Sequence, residues 1–284
     1  LALMAFYLAA TTQWTHEVLE DILTWIAWSG LALVAYGILQ VLNLDQFYRW
    51  VDGFKDTDTL MGTIGNPSHF GTHLSLLLSV WLWRPGRLWP WVSAVACGLI
   101  LMTRSSAAVL AMAVVLAWWL WQQHRRWFGV GVGVGCAAGL SLILWQSDWL
   151  NTHGRWETWR YLWDYYLVGN GHRQITGAGL GAVINESMRH LPGWPNLWSH
   201  AHNEYLQVLI EQGVIGLGLV CWGIGHAIWT WVQLPRQTAM SSTLAGMGLA
   251  FLIAAPLNFP AHLIVLASLG LVAYCGIYVL AAEG

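Results

Sequence analysis

Long continuous apolar runs separated by short polar turns dominate the chain. They fall at about 1 to 12, 22 to 42, 68 to 83, 88 to 103, 105 to 121, 127 to 147, 204 to 233, 238 to 257 and 261 to 281. Most approach the ~20 residues that an α-helix needs to cross a bilayer. A membrane β-barrel would instead show segments of ~10 residues in which polar and apolar positions alternate, and these runs do not alternate. The pattern predicts an all-α fold, a polytopic transmembrane helical bundle of eight to nine spans. Residues 1–284 form a single membrane domain in this reading, and the polar stretch 148–203 is its one long extramembrane loop. Several runs are near 16 residues, so the boundary at 103/105 also leaves a re-entrant pair open.

Composition changes the picture only by fixing the solvent. Apolar residues make up 57% of the chain and charged ones 9%, against roughly 45–50% and 25% in ordinary soluble domains. A cytosolic enzyme, a secreted disulfide scaffold and a disordered chain are all excluded. The 12 basic and 14 acidic residues nearly balance, which gives no electrostatic case for a nucleic-acid partner. Cys97, Cys136, Cys221 and Cys275 lie inside apolar runs at unrelated spacings, so they read as buried thiols rather than a disulfide framework or a metal knuckle. Leu1 opens the chain inside an apolar stretch with no basic segment before it, which predicts an N-terminally truncated sequence rather than a signal peptide. Gly129, Gly131, Gly133, Gly135 and Gly139 lack the spacing of a dinucleotide loop and suit close helix packing.

Charge placement orients the bundle. Arg84 and Arg87, Arg125 and Arg126, and Arg236 occupy three tight turns, which the positive-inside rule assigns to the cytoplasm. The longer connections then face outward. Many of the 22 tryptophans, including Trp81, Trp83, Trp89, Trp91, Trp118, Trp119 and Trp121, cluster near span ends, as interfacial aromatic belts do.

With that orientation, the polar features hardest to explain by packing share the outward ends. They are Gly65-Asn66-Pro67, Thr103-Arg104-Ser105-Ser106, Gly154-Arg155-Trp156, His200-Ala201-His202-Asn203 and Asn258-Phe259-Pro260. Arg104 lies between long uncharged runs, where a cation at membrane depth costs at least ~2.5 kcal/mol unless compensated. It either snorkels to the headgroups or binds an anion, for which a guanidinium is suited by its fixed donors and permanent charge. Asn203 reads as a helix N-cap with Glu204 in the first turn, leaving His202 just outside the helix and facing the loop. Asn203, Gln207 and Glu211 recur at four-residue spacing as a polar stripe. His200 and His202 lack a clear third metal ligand. Asp56-Thr57-Asp58 matches the DxD that positions a divalent cation in some glycosyltransferases, but loops rich in Asp, Thr and Gly give that pattern by chance, and it reads first as a solvated loop.

These residues resemble the O-antigen ligase and O-antigen polymerase superfamily of bacterial envelope enzymes, and most nearly its ligases. His202-Asn203, nine residues, then Gly213-Val214-Ile215-Gly216 follows the ligase pattern His-(Asn/Ser/Gln)-x9-Gly-x-x-Gly. Gly65-Asn66-Pro67, the arginine turn at 103–106, Gly154-Arg155 with Trp159, and the Thr-Gly-x-Gly-x-Gly segment 176–181 occur in the family's order, so the likeness covers residues 60–284. The family's arginine motif carries its arginine after the serine, whereas Arg104 precedes Ser105. On a helix that displacement would turn the side chain by ~100°.

The resemblance implies a metal-independent glycosyltransferase without a cofactor. It would sit in the bacterial inner membrane with its active site facing the periplasm. It would transfer a glycan from undecaprenyl diphosphate to an acceptor hydroxyl, such as a lipid A core sugar. His202 takes the position of the base, and Arg104 and Arg155 those that hold the diphosphate. Asn66, His200, Asn203 and Glu211 complete the expected substrate-binding set. A polysaccharide polymerase or a protein (pilin) O-oligosaccharyltransferase would use the same donor with another acceptor, and a membrane transporter is the alternative of a different class, since intramembrane polar residues also mark solute pathways.

Overall fold

The computed structural model describes residues 14–45, 60–123, 129, 155–168, 171–184, 200–234 and 238–283. The described residues are helical, with no strand among them. Seven of the nine expected apolar runs appear as helices: α1 (His16–Val41), α2 (Pro67–Leu82), α3 (Trp89–Met102) and α4 (Ser106–Gln123), then, beyond the loop, α7 (Glu204–Val232), α8 (Ala239–Ala254) and α9 (Ile264–Glu283). Within the loop lie α5 (Arg155–Tyr166) and the short α6 (Gly171–Thr176). The runs 1 to 12 and 127 to 147 fall outside the described residues, as do Asp56, Asp58 and Cys136; of the glycine ladder only Gly129 is described.

Helices α1, α4, α7 and α9 are long and apolar enough to cross a membrane. Their outer faces carry bare hydrophobic side chains, among them Trp25, Trp222 and Leu219. Such a surface suits lipid and would aggregate in water. Helix α2 is the shorter centre of the bundle, 16 residues with every position from His69 to Trp81 buried. Small residues bring its neighbours close: a Cβ on Gly71 would meet Ala108 of α4 at 2.6 Å, and one on Gly30 of α1 would meet Trp81 at 2.6 Å. Close approach through glycine and alanine is how helices gain dispersion contacts where lipid removes the hydrophobic drive.

The helices alternate in direction. Thr24 in the first half of α1 accepts from Arg84 Nη2 in the α2–α3 turn at 2.6 Å. The far end of α1 meets the start of α2, where Gln40 Oε1 accepts from Gly62 N–H at 2.8 Å. The end of α9 returns to the start of α1, with His16 N–H donating to Glu283 Oε1 at 3.1 Å. The Arg84 turn therefore lies at one end of the bundle, and the starts of α2, α4, α7 and α9 lie at the other.

The cysteines correct one expectation. Cys221 is exposed on α7, and Cys97 and Cys275 are only partly buried. A thiol is small and weakly polar enough to face hydrocarbon, so an apolar run does not reveal which of its cysteines point inward.

Candidate functional site at one end of the bundle

Two asparagines and a serine open three of the helices at this end. Asn66 Oδ1 accepts from Ser68 and His69 N–H, capping α2. Ser105 Oγ accepts from Ala108 N–H at the start of α4. Asn203 Oδ1 accepts from Leu206 N–H, capping α7 as its sequence position predicts. Each cap satisfies backbone donors that a helix start leaves open. The positive ends of these helices all point the same way, toward one extramembrane surface, and favour negative charge there.

Arg104 and His202 stand at the edge of that surface with an unusual backbone. Among the described non-glycine residues, only they and Asn43 have positive φ, 53° for both. The left-handed conformation costs an L-residue roughly 1–2 kcal/mol, and such strain collects at functional sites. Arg104 is exposed in the turn between α3 and α4, with Thr103 and Ser105 buried on either side. It is thus not on a helix, so the ~100° helical step expected for a one-residue displacement does not apply to it.

A continuous set of contacts joins the arginine turn to the histidine loop. Ser105 Oγ donates to Ser68 Oγ at 3.0 Å. The next residue, His69, packs edge-on against Phe259, with ring centroids 4.6 Å apart. The same Phe259 ring is met by His202 edge-on at 4.6 Å and by His200 stacked at 4.8 Å. Asn258 is buried beside it, and its Nδ2 donates to Thr72 Oγ1 at 3.3 Å. The segments 66–72, 103–105, 200–204 and 258–262, scattered along the sequence, thus form one cluster.

The loop between the histidines is clamped on both sides. Ala201 is fully buried. Its N–H donates to Gln207 Oε1 at 3.1 Å, and its carbonyl accepts from Trp159 Nε1 at 2.7 Å. Trp159 closes the Gly-Arg-x-x-x-Trp motif, so that motif grips the histidine loop from α5. Arg155 begins α5 one turn before Trp159. Leu162, Tyr166, Leu167, Val183, Ala201 and Ile210 form a separate small core beneath this extramembrane layer.

The two glycine motifs pack against each other. Gly213 kinks α7 with φ 68° and ψ −170°, a region that only glycine enters readily. At the kink, Ile210 and Glu211 carbonyls accept from Ala178 N–H at 2.7 Å and Gly179 N–H at 3.0 Å. A Cβ on Gly177 would meet Glu211 O at 2.3 Å, and one on Gly213 would meet Ile175 O at 2.2 Å. Bare backbone on both sides lets the 176–181 turn seat on α7 about three helical turns below the histidine.

Carboxylates lie deeper. Glu204 is buried; its Oε1 accepts from Ala261 N–H at 2.7 Å, and its carboxylate meets His262 Nδ1 at 3.0 Å. Gln207 Nε2 donates to Glu211 Oε1 at 3.3 Å and lies 3.2 Å from His262 Nε2. The hydrogen bond to Glu204 raises the pKa of His262 against its desolvation, with the Glu204 and Glu211 charges adding to the rise. Burial lowers that of His200, and His262 lowers it further against a smaller opposing pull from Glu204. Glu211 points into this network and is buried, not aligned along a headgroup rim. Among the described residues no group of three or more His, Cys, Asp or Glu side chains is arranged to hold a metal ion.

His69 and His262 are the members of the cluster that sequence reasoning does not single out. Asn258-Phe259-Pro260 stands out as a polar break before an apolar run, which is the available signal. Nothing in the spacing pairs His262 with Glu204, 58 residues earlier.

The fold and the site define a polytopic helical membrane protein with an imidazole-rich, helix-capped cluster at one end of its bundle. The O-antigen ligase family model, Wzy_C, matches residues 91–221, so this stretch is similar to the domain of the family that the motifs resemble. The matched span runs from α3 through the arginine turn and the histidine loop to the middle of α7. A comparison with curated proteins found no match.

Proposed function

We propose that the protein is an O-antigen ligase: in the inner membrane, at the periplasmic face, it moves a glycan from undecaprenyl diphosphate to a hydroxyl of a lipid A core sugar. The observation that carries this reading is the joining of Arg104's turn to the His202 loop through Ser105, Ser68, His69 and Phe259. Transfer requires two things. A proton leaves the acceptor hydroxyl, and negative charge is stabilised on the departing diphosphate as the bond between the glycan's anomeric carbon and the phosphate oxygen breaks. His202 takes the proton, a task suited to an imidazole near neutral pH. Arg104 and Arg155, with the helix starts of α2, α4 and α7, meet the diphosphate with preorganised positive charge. The new bond joins the acceptor oxygen to the anomeric carbon, and undecaprenyl diphosphate leaves.

Asn66 and Asn203 contribute by holding those helix starts in place, and His200 and Glu211 by shaping the loop and the network beneath it. The donor supplies the driving force, so the step runs without a metal or cofactor. The placement of the Arg84 turn opposite the cluster agrees with the orientation read from basic residues. Deleting the gene in its own host tests the acceptor. The expected result is lipopolysaccharide whose core lacks attached polymer, restored by the gene in trans. Core still carrying polymer, with long chains or glycosylated pilin lost instead, would reassign the enzyme to the polymerases or protein transferases.

A further inference from the structure

Glu204, His262 and Gln207 make a directed chain of hydrogen bonds that ends on the histidine loop. The direction follows from its fixed end. Ala201 N–H can only donate, so the group facing it at 3.1 Å is Gln207 Oε1. The Gln207 amide nitrogen is then a donor, and it points to Glu211 Oε1 and to His262 Nε2. His262 Nε2 must accept, which places the imidazole proton on Nδ1, facing the Glu204 carboxylate at 3.0 Å. Glu204 is itself anchored by Ala261 N–H, and its own N–H donates to Ala255 O at 2.9 Å. The chain therefore needs a neutral His262.

We infer that His262 is a positioning residue for transfer: neutral, it holds Gln207 so that the Ala201 peptide stays fixed between His200 and His202, and a proton added to its Nε2 turns Gln207 and frees that peptide. With Nε2 protonated, two donors face each other at 3.2 Å. Rotating the Gln207 amide removes that conflict but sets its nitrogen against Ala201 N–H and its oxygen against Glu211, so both bonds are lost together. The charged and titratable groups facing His262 are Glu204 and Glu211 from α7 and His200 from the preceding loop. The carboxylates favour the added proton and His200 opposes it when charged. The imidazole is partly exposed, with 32% of its side chain accessible, so protons reach it from water.

The inference rests on the ligase reading for its catalytic meaning, but its test does not need activity. Amide hydrogen exchange at residue 201 is measured in the full chain in nanodiscs between pH 5 and 8, corrected for the intrinsic pH dependence of exchange. In the wild type, protection falls about tenfold on acidification, as expected for losing one hydrogen bond. In His262→Gln, which carries no titrating group, protection is the same at every pH. In Glu204→Gln the fall moves to lower pH, because Glu204 raises the basicity of His262. If His262→Gln fails to reach the membrane, Glu204→Gln carries the test alone. Protection that does not change with pH in the wild type, or that falls equally in His262→Gln, or a fall not displaced in Glu204→Gln, overturns the inference. His202→Ala keeps the wild-type exchange profile, so a wrong assignment of the base would leave this result standing.

Discussion

Replacing His202 by glycine should lower glycan transfer by about 10²–10⁴-fold, the range of a lost general base, while the membrane-inserted protein is at least as stable as the wild type. The two halves of this result have separate causes. The imidazole is the proposed proton acceptor, so its removal leaves the acceptor hydroxyl without a base. The backbone at this position has φ 53°, which glycine adopts without the ~1 kcal/mol or more paid by a residue with a Cβ. His202→Ala keeps that strain, so it should lose the same activity without the gain in stability. Transfer rates in membranes and thermal midpoints of the detergent-purified variants check both halves. A variant that transfers normally would remove His202 from the chemistry, and glycine destabilising more than alanine would remove the strain argument.

The second large effect is structural. Gly213→Ala should destabilise the protein by about 2–6 kcal/mol, the sum of a strained backbone and an overpacked contact. Its new Cβ would lie 2.2 Å from Ile175 O, which is backbone and cannot swing aside. The 176–181 turn would lift from α7 and lose its bonds to Ile210 and Glu211. Gly218→Ala is the control, because no atom lies within 4 Å of its Cβ and the added methyl favours helix by ~1 kcal/mol. Thermal midpoints should therefore fall sharply for the first and hold or rise for the second. This contrast also gives the Gly-x-x-Gly half of the ligase-like pattern a physical reason: its first glycine is where α7 opens to receive the extramembrane layer.

The spans were legible because a bilayer-crossing helix must be apolar along its whole length. Residues 68 to 83 and 204 to 233 agree with α2 and α7 to within a residue or so. Helix α1 starts six residues before its apolar run, since Glu17, Glu20 and Asp21 occupy its first turns and Thr15 caps it. That end of the helix stands in the polar layer, where charge is no guide to where helix begins. At the site, caps and motifs were readable locally: Asn203 and His202 lie where their neighbours predict. The Glu204–His262 pair was not, because a hydrogen bond between residues 58 apart leaves no trace in spacing or periodicity. Glu204 alone reads as a carboxylate at a helix N-terminus, and only its packing against residues 261 and 262 gives it a second task. Phe259 stands in the Asn258-Phe259-Pro260 break that the sequence marks, but the task of its ring shows only with three imidazoles around it.

The central claim is that this cluster releases a polyprenyl diphosphate as it moves the glycan. Purified full chain in liposomes, given an undecaprenyl-diphosphate-linked oligosaccharide and a lipid A core acceptor in excess chelator, tests it in one assay. One undecaprenyl diphosphate released for each glycan joined to the core is the predicted result, and transfer that appears only when a divalent cation is restored, or no release at all, would contradict it.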